Sequence, residues 1–150
     1  MKGFMLDMDI VFLNDLAKLP TRGSEEAAGW DLYAAIDDKV LIPPHRTIKI
    51  GTGLAIAIPN GYFGGLFPRS GIASREGLRP ANCVGVIDSD YRGEIIAAIH
   101  NDSDEYRTIL PGERIVQLII MPYAKIDNFN VVSNLDATAR GAGGFGSTGV

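Results

Sequence analysis

The chain has 150 residues, 46% of them apolar, and 18 acidic against 14 basic side chains leave a net charge of −4. This describes one domain with tails, large enough to fold without staples, and its acidity excludes a general nucleic-acid coat, which needs a basic stripe. A single cysteine, Cys83, excludes an internal disulfide framework, and Asp7, Asp9 and Asn14 interrupt the apolar start, so no signal peptide and no membrane span is expected and the cytoplasm is the expected compartment.

In chain order, Leu19 to Gly23 reads as linking chain. Val40 to Ile42 and Arg46 to Ile50 read as strands split by Pro43-Pro44. Leu54 to Ile58 alternates large and small apolar residues, so both faces can be buried. Pro59-Asn60-Gly61 follows, and Asn-Gly predicts a hairpin with Tyr62 to Phe67 as its return strand. The one helix candidate is short, about Gly71 to Gly77, with Ser70 as its N-cap. Val84 to Ile87 and Glu94 to Ile99 flank a polar turn from Asp88 to Gly93. Pro111-Gly112 predicts a type II turn before the long strand Ile115 to Met121. From about Ser133 the chain is polar, then glycine-rich, and cannot bury enough surface to order itself alone. Short strands with regular turns predict an all-β sandwich or barrel over residues 1–132, with 133–150 as a mobile arm.

Several residues invite chemistry, each with a plainer alternative. Arg69, Ser70 and Gly71 stand where a strand gives way to the short helix, a place for an anion or for simple capping. Asp88 and Asp90 share a turn with Tyr91 and Arg92. Turn aspartates commonly bond their own backbone, yet one at a strand end can serve as a general base. Gln117 is the polar side chain inside an apolar strand, either a satisfied core residue or a ligand contact. His45 and His100 lack metal-ligand spacing, and one cysteine makes no zinc site.

The end of the chain, 140–150, carries Gly141-x-Gly143-x-x-Gly146. A dinucleotide fingerprint with that pattern needs a following helix, and no chain remains for one. As a phosphate loop it puts Ser147 where the lysine belongs. What survives is physical: consecutive glycine N–H groups can face one anion, Arg140 offers a fork for phosphate, and Phe145 offers a face for a base. A floppy tail has the same composition.

The order of these stretches is more specific than any one of them. Ala28-Gly29-Trp30-Asp31-Leu32-Tyr33 comes first, then Pro68-Arg69-Ser70-Gly71-Ile72-Ala73, then 85–94 around Asp88-Ser89-Asp90-Tyr91, then Gly112-Glu113-Arg114-Ile115-Val116-Gln117-Leu118, then 140–149. This resembles the five ordered motifs of the trimeric dUTP pyrophosphatases (dUTPases), over residue 28 to the end. Ala142 stands where relatives commonly carry an acidic residue.

The resemblance implies an all-β, distorted jelly-roll or barrel-like fold with one short helix and a flexible glycine-rich arm. It implies Mg²⁺-dependent hydrolysis of dUTP to dUMP and pyrophosphate, lowering dUTP and supplying dUMP for dTMP synthesis. A homotrimer with sites at subunit interfaces follows from it, without nucleic acid or membrane as partner. Asp88 matches the general base, and Tyr91 the platform under the deoxyribose. Asn82, Val86, Ile87 and Ile96 match the uracil slot. Arg69, Ser70, Gly71 and Gln117 match the phosphate side, and Arg140, Phe145, Gly146 and Ser147 the closing arm. Asp31 matches the first-motif aspartate, reaching the metal only through water, with Mg²⁺ mainly on substrate phosphates. A dCTP deaminase, or a bifunctional deaminase–dUTPase, shares parts of several motifs; Asp88-Ser89-Asp90-Tyr91 and the full arm favour the pyrophosphatase. A nucleotide-gated regulatory protein is the alternative of another class.

Overall fold

In the computed structural model, residues 6–144 are described. The elements are β1 (Ile10–Phe12), β2 (Trp30–Tyr33), β3 (Val40–Ile42), β4 (Thr47–Gly51), β5 (Leu54–Ile56) and β6 (Tyr62–Pro68). Helix α1 (Ser70–Glu76) follows, then β7 (Leu78–Pro80), β8 (Gly85–Ile87), β9 (Ile96–Asn101), β10 (Arg107–Ile109) and β11 (Arg114–Pro122). The strands form antiparallel sheets ordered β2-β11-β6-β8 and β4-β9-β7, with two-stranded pairs β1-β5 and β3-β10. None closes on itself, and the arrangement is the expected all-β, jelly-roll-like fold. No described helix is long and apolar enough to cross a membrane.

One core joins the sheets. Leu32, Ile50, Leu54, Leu78, Ile99 and Val116 are fully buried in it. Each such side chain contributes about 1.5–3 kcal/mol over its exposed state. Strand β11 departs from simple alternation. Its register slips between Arg114 and Val116, a bulge that lets the consecutive Ile115 and Val116 both turn inward. Buried Asn101 donates from Nδ2 to the carbonyls of Ile42, Pro43 and Glu105, and its Oδ1 accepts from Ser103. That ties the Pro43-Pro44 turn to the loop after β9, a role no sequence pattern announced.

Most expected strands are present, and Leu110 to Glu113 makes the expected type II turn, with Gly112 at φ 70°. Three expectations need correction. The Asn60-Gly61 turn exists, closed by Tyr62 N–H to Pro59 O at 3.1 Å, but it makes no hairpin. Gly61 has φ 85° while Asn60 does not have a positive φ, so the turn is of the type II kind and splays its strands. β5 therefore pairs with β1, and β6 with β11 and β8. Second, Arg69, not Ser70, caps α1, and no side chain makes the cap bond. Third, Leu19 to Gly23 is anchored: Thr21 and Asp31 exchange main-chain hydrogen bonds, and Arg22 lies over the Trp30 ring. Strands β1, β2, β7 and β10 are additions to the sequence reading.

Candidate active site

A wedge between two strands forms the main slot. The chain pairs with β9 through β7, and the Ala81 N–H still reaches Ala98 O at 2.8 Å. At Cys83, whose φ is 62°, it turns away, and β8 joins β6 instead. Arg79 grips this departure point, donating to the carbonyls of Pro80 and Ala81 while its guanidinium pairs with Asp102 at 2.6 and 3.0 Å. That hydrogen bond holds the Asp102 carboxyl below the usual carboxylate range. β8 is left as the edge of its sheet. The wedge is about 230 Å³, with Asn82, Val86 and Ile87 on one side and Ile96 on the other. Such a volume suits a base and sugar and is small for a whole drug-sized ligand.

Asp88 and Tyr91 stand at the turn end of the wedge. The turn is held by its own bonds: Tyr91 N–H to Asp88 O at 3.1 Å, and Arg92 Nη1 to the carbonyls of Ser89 and Tyr91. Tyr91 donates its hydroxyl to Glu94 O at 2.9 Å. The Asp88 carboxylate is exposed, and among the described residues no hydrogen bond occupies it. An unengaged carboxylate beside a slot can orient and deprotonate a water. On its other side lies a wider cavity of about 570 Å³, bordered by Phe63, Asp90, Tyr123 and Lys125.

The second group of candidates gathers elsewhere. Arg69 Nε bonds Asp31 Oδ1 at 2.7 Å, Arg114 Nη1 bonds Asp31 Oδ2 at 3.2 Å, and Arg69 Nη1 reaches Arg114 O at 3.4 Å. Asp31 is nearly buried here, so both of its oxygens serve the two arginines. Gln117 Nε2 bonds Pro68 O at 2.9 Å, fixing the residue before Arg69. Gly29 makes room for it, because a Cβ there would collide with the Gln117 side chain. Ser70 is exposed and Gly71 partly so, at the start of α1. Among the described residues no three His, Cys, Asp or Glu side chains gather to hold a metal ion. Mg²⁺ commonly keeps waters and substrate phosphates as its inner ligands.

These two groups are separated by the length of β6. Ile87 pairs with Gly64, so Asp88 lies opposite Phe63, six residues before Arg69. At about 3.3 Å per residue the two backbone positions are roughly 20 Å apart. Arg140 joins neither group. It bonds Gly143 O within its own stretch of chain. Phe145, Gly146 and Ser147 lie outside the described residues. From Tyr123 to Gly144 there is no regular element, and Phe129, Val131 and Leu135 are exposed, Val131 by 99%. Glu94 and Arg114 are contacts to which the sequence reading assigned no role.

A model of the dUTPase family matches residues 15–149. The deoxyuridine 5′-triphosphate nucleotidohydrolase of Desulfitobacterium hafniense (strain DSM 10664 / DCB-2) is 49% identical over 134 residues, 89% of this chain and 88% of that protein. The enzyme of the same name from Escherichia phage T5 is 44% identical, covering 87% and 91%. Among solved structures, Staphylococcus bacteriophage 80alpha dUTPase with dUPNHPP superimposes at a TM-score of 0.84 and 29% identity, covering 97% of this chain and 100% of that one. A dUTPase variant from phage phi11 of S. aureus, described for the coordination of a structural Mg(II) ion, is similar at a TM-score of 0.74 and 27% identity, covering 84% and 97%. With a family match over nearly its whole length, and with relatives this near in sequence, the chain belongs to the dUTPase family.

Proposed function

We propose that this chain hydrolyses dUTP to dUMP and pyrophosphate, in the cytoplasm, with Asp88 as the general base. The observation that carries the reading is the wedge beside β8, with a free carboxylate and a tyrosine at its end. An edge strand offers main-chain N–H and C=O groups in fixed alternation, which can pair with the edge of uracil as another base would. Asn82 adds a side-chain amide, which can both donate and accept. Val86 and Ile96 narrow the slot against a 5-methyl group. Cytosine would leave a polar group unpaired, at a cost of about 1–3 kcal/mol. Tyr91 lies where a sugar would follow the base, and a 2′-hydroxyl would meet its ring.

The chemistry then needs one water. Asp88 orients it in line with the α-phosphorus and takes its proton. The new bond runs from that oxygen to the α-phosphorus, the bond to the α–β bridging oxygen breaks, and pyrophosphate leaves. Mg²⁺ on the triphosphate, when bound, neutralises charge that an acidic protein would otherwise repel. Asp31, with both oxygens already on arginines, would reach that ion only through water. Its larger task is to hold the Arg69 guanidinium in place, with Gln117 fixing the backbone before it.

The backbone positions of Asp88 and Arg69 stand roughly 20 Å apart, at opposite ends of one strand. The reading therefore takes Arg69, Ser70 and Gly71 from a neighbouring copy, in a homotrimer whose head-to-tail contacts close into a ring. The exposed apolar side chains of 126–135 suit the same assembly, since a lone chain leaves them in water. The arm 133–150, with Arg140, Phe145, Gly146 and Ser147, would close over a site built by other copies and exclude water from it. The direct test is pyrophosphate release from dUTP, UTP, dTTP and dCTP. Release confined to dUTP is expected; ammonia released from dCTP would instead mark a deaminase.

A further inference from the structure

The Tyr91 ring is tethered at its far end, where the hydroxyl donates to the main-chain oxygen of Glu94. Its edge lies against Gly93, where a Cβ would come within 2.5 Å of that hydroxyl and 2.7 Å of Cζ. The tilt of the ring thus follows the position of the Glu94 carbonyl.

That carbonyl is positioned by the side chain of the same residue. The neighbouring Ile95 is held by main chain, its N–H on Leu54 O at 2.8 Å and its oxygen accepting from Thr52. Glu94 stands one residue beyond those bonds. Its Oε1 accepts the N–H of Gly53 at 2.8 Å. Gly51 leaves space for the carboxylate, and a Cβ there would collide with it. The anchor is rigid, because Gly53 is buried, has φ 65°, and gives its carbonyl to the Leu13 N–H at 2.8 Å. The fold therefore links the β4–β5 corner to Glu94, Glu94 to the tyrosine, and the tyrosine to the slot.

We propose that Glu94 is a positioning residue that sets the sugar selectivity of the slot, by pinning the Tyr91 ring to the Gly51–Gly53 corner. The proposal rests on the reading of Tyr91 as the platform under the deoxyribose. A wall rejects a hydroxyl only if it does not yield. A ring free to rock would make room for a ribose 2′-hydroxyl, while uracil reading and the Asp88 chemistry remained.

Steady-state kcat/KM of the full chain for dUTP and for UTP tests this, in the parent, Glu94→Ala and Glu94→Gln. Glu94→Ala should narrow the dUTP-to-UTP ratio by about tenfold, the scale of discrimination a shaped pocket supplies. Glu94→Gln keeps an oxygen acceptor for Gly53 and should hold the ratio near that of the parent. A merely structural role would lower both substrates by the same factor and leave the ratio unchanged, and that result overturns the proposal. Should Glu94→Ala not fold, Tyr91→Phe cuts the same tether with Glu94 in place: a narrowed ratio supports the proposal and an unchanged ratio overturns it. A parent protein that releases no pyrophosphate from dUTP removes the functional reading itself, before any variant is compared.

Discussion

The two ends of β6 are built by opposite means. At the Tyr62 end the wedge is open, and the Asp88 carboxylate carries no hydrogen bond among the described residues. At the Pro68 end every charged group is engaged, with Asp31 holding Arg69 and Arg114 and Gln117 holding Pro68. The difference follows from what each end must keep. In the proposed reading Asp88 is a general base, which works by having its lone pairs available, and a bonded turn with a free carboxylate suits that role. In the same reading a cation that is to meet phosphate is held in place beforehand by a carboxylate, as Asp31 holds Arg69. The strand that joins the ends also keeps them apart, and the proposed reading brings them to one ligand through a second copy of the chain.

The sharpest break of this comparison is Asp88→Asn. It keeps the shape of the open end and removes its base, so kcat should fall by about 10²- to 10⁴-fold with dUTP binding retained, read by turnover and by equilibrium titration. Turnover near that of the parent would take Asp88 out of the mechanism. Next comes mixing. Asp88→Asn and Arg69→Ala chains, each nearly inactive alone, should regain roughly a quarter of parent activity when refolded together, if each site draws on two copies. A site contained in one chain would regain nothing.

A smaller effect is expected where the braced end loses its brace. Asp31→Asn leaves shape but removes the charge behind Arg69 and Arg114, and kcat/KM should fall by about tenfold with the fold intact by circular dichroism. The smallest concerns Arg79 and Asp102, which hold the point where the chain leaves β9. Asp102 has a lowered pKa in the folded chain, chiefly through its hydrogen bond from Arg79. A depressed carboxylate stabilises the fold above its unfolded pKa and loses that contribution as pH falls through its folded value. The Tm advantage of the parent over Asp102→Asn should therefore be present at neutral pH and vanish on the acid side of the usual carboxylate range. An advantage that persists there would assign it to packing.

Residue type and order along the chain determined the strands from Val40 to Ile50, the Pro111-Gly112 turn, the long strand after it, and the family to which the five motifs belong. Local rules suffice for these, because alternation, turn chemistry and motif spacing act over a few residues. Only the tertiary structure decided that the Asn60-Gly61 turn joins different sheets, since one φ value separates a hairpin from a splayed turn. It alone decided that 19–23 is tied to Asp31 and that Glu94 reaches Gly53 across 41 residues. The distance between Asp88 and Arg69 is of the same kind. Their motifs follow one another closely in sequence, yet antiparallel pairing sends β8 back along β6 and leaves the two at opposite ends of it. Pairing partners and register depend on contacts made across the whole fold, which the spacing of residues along the chain does not encode.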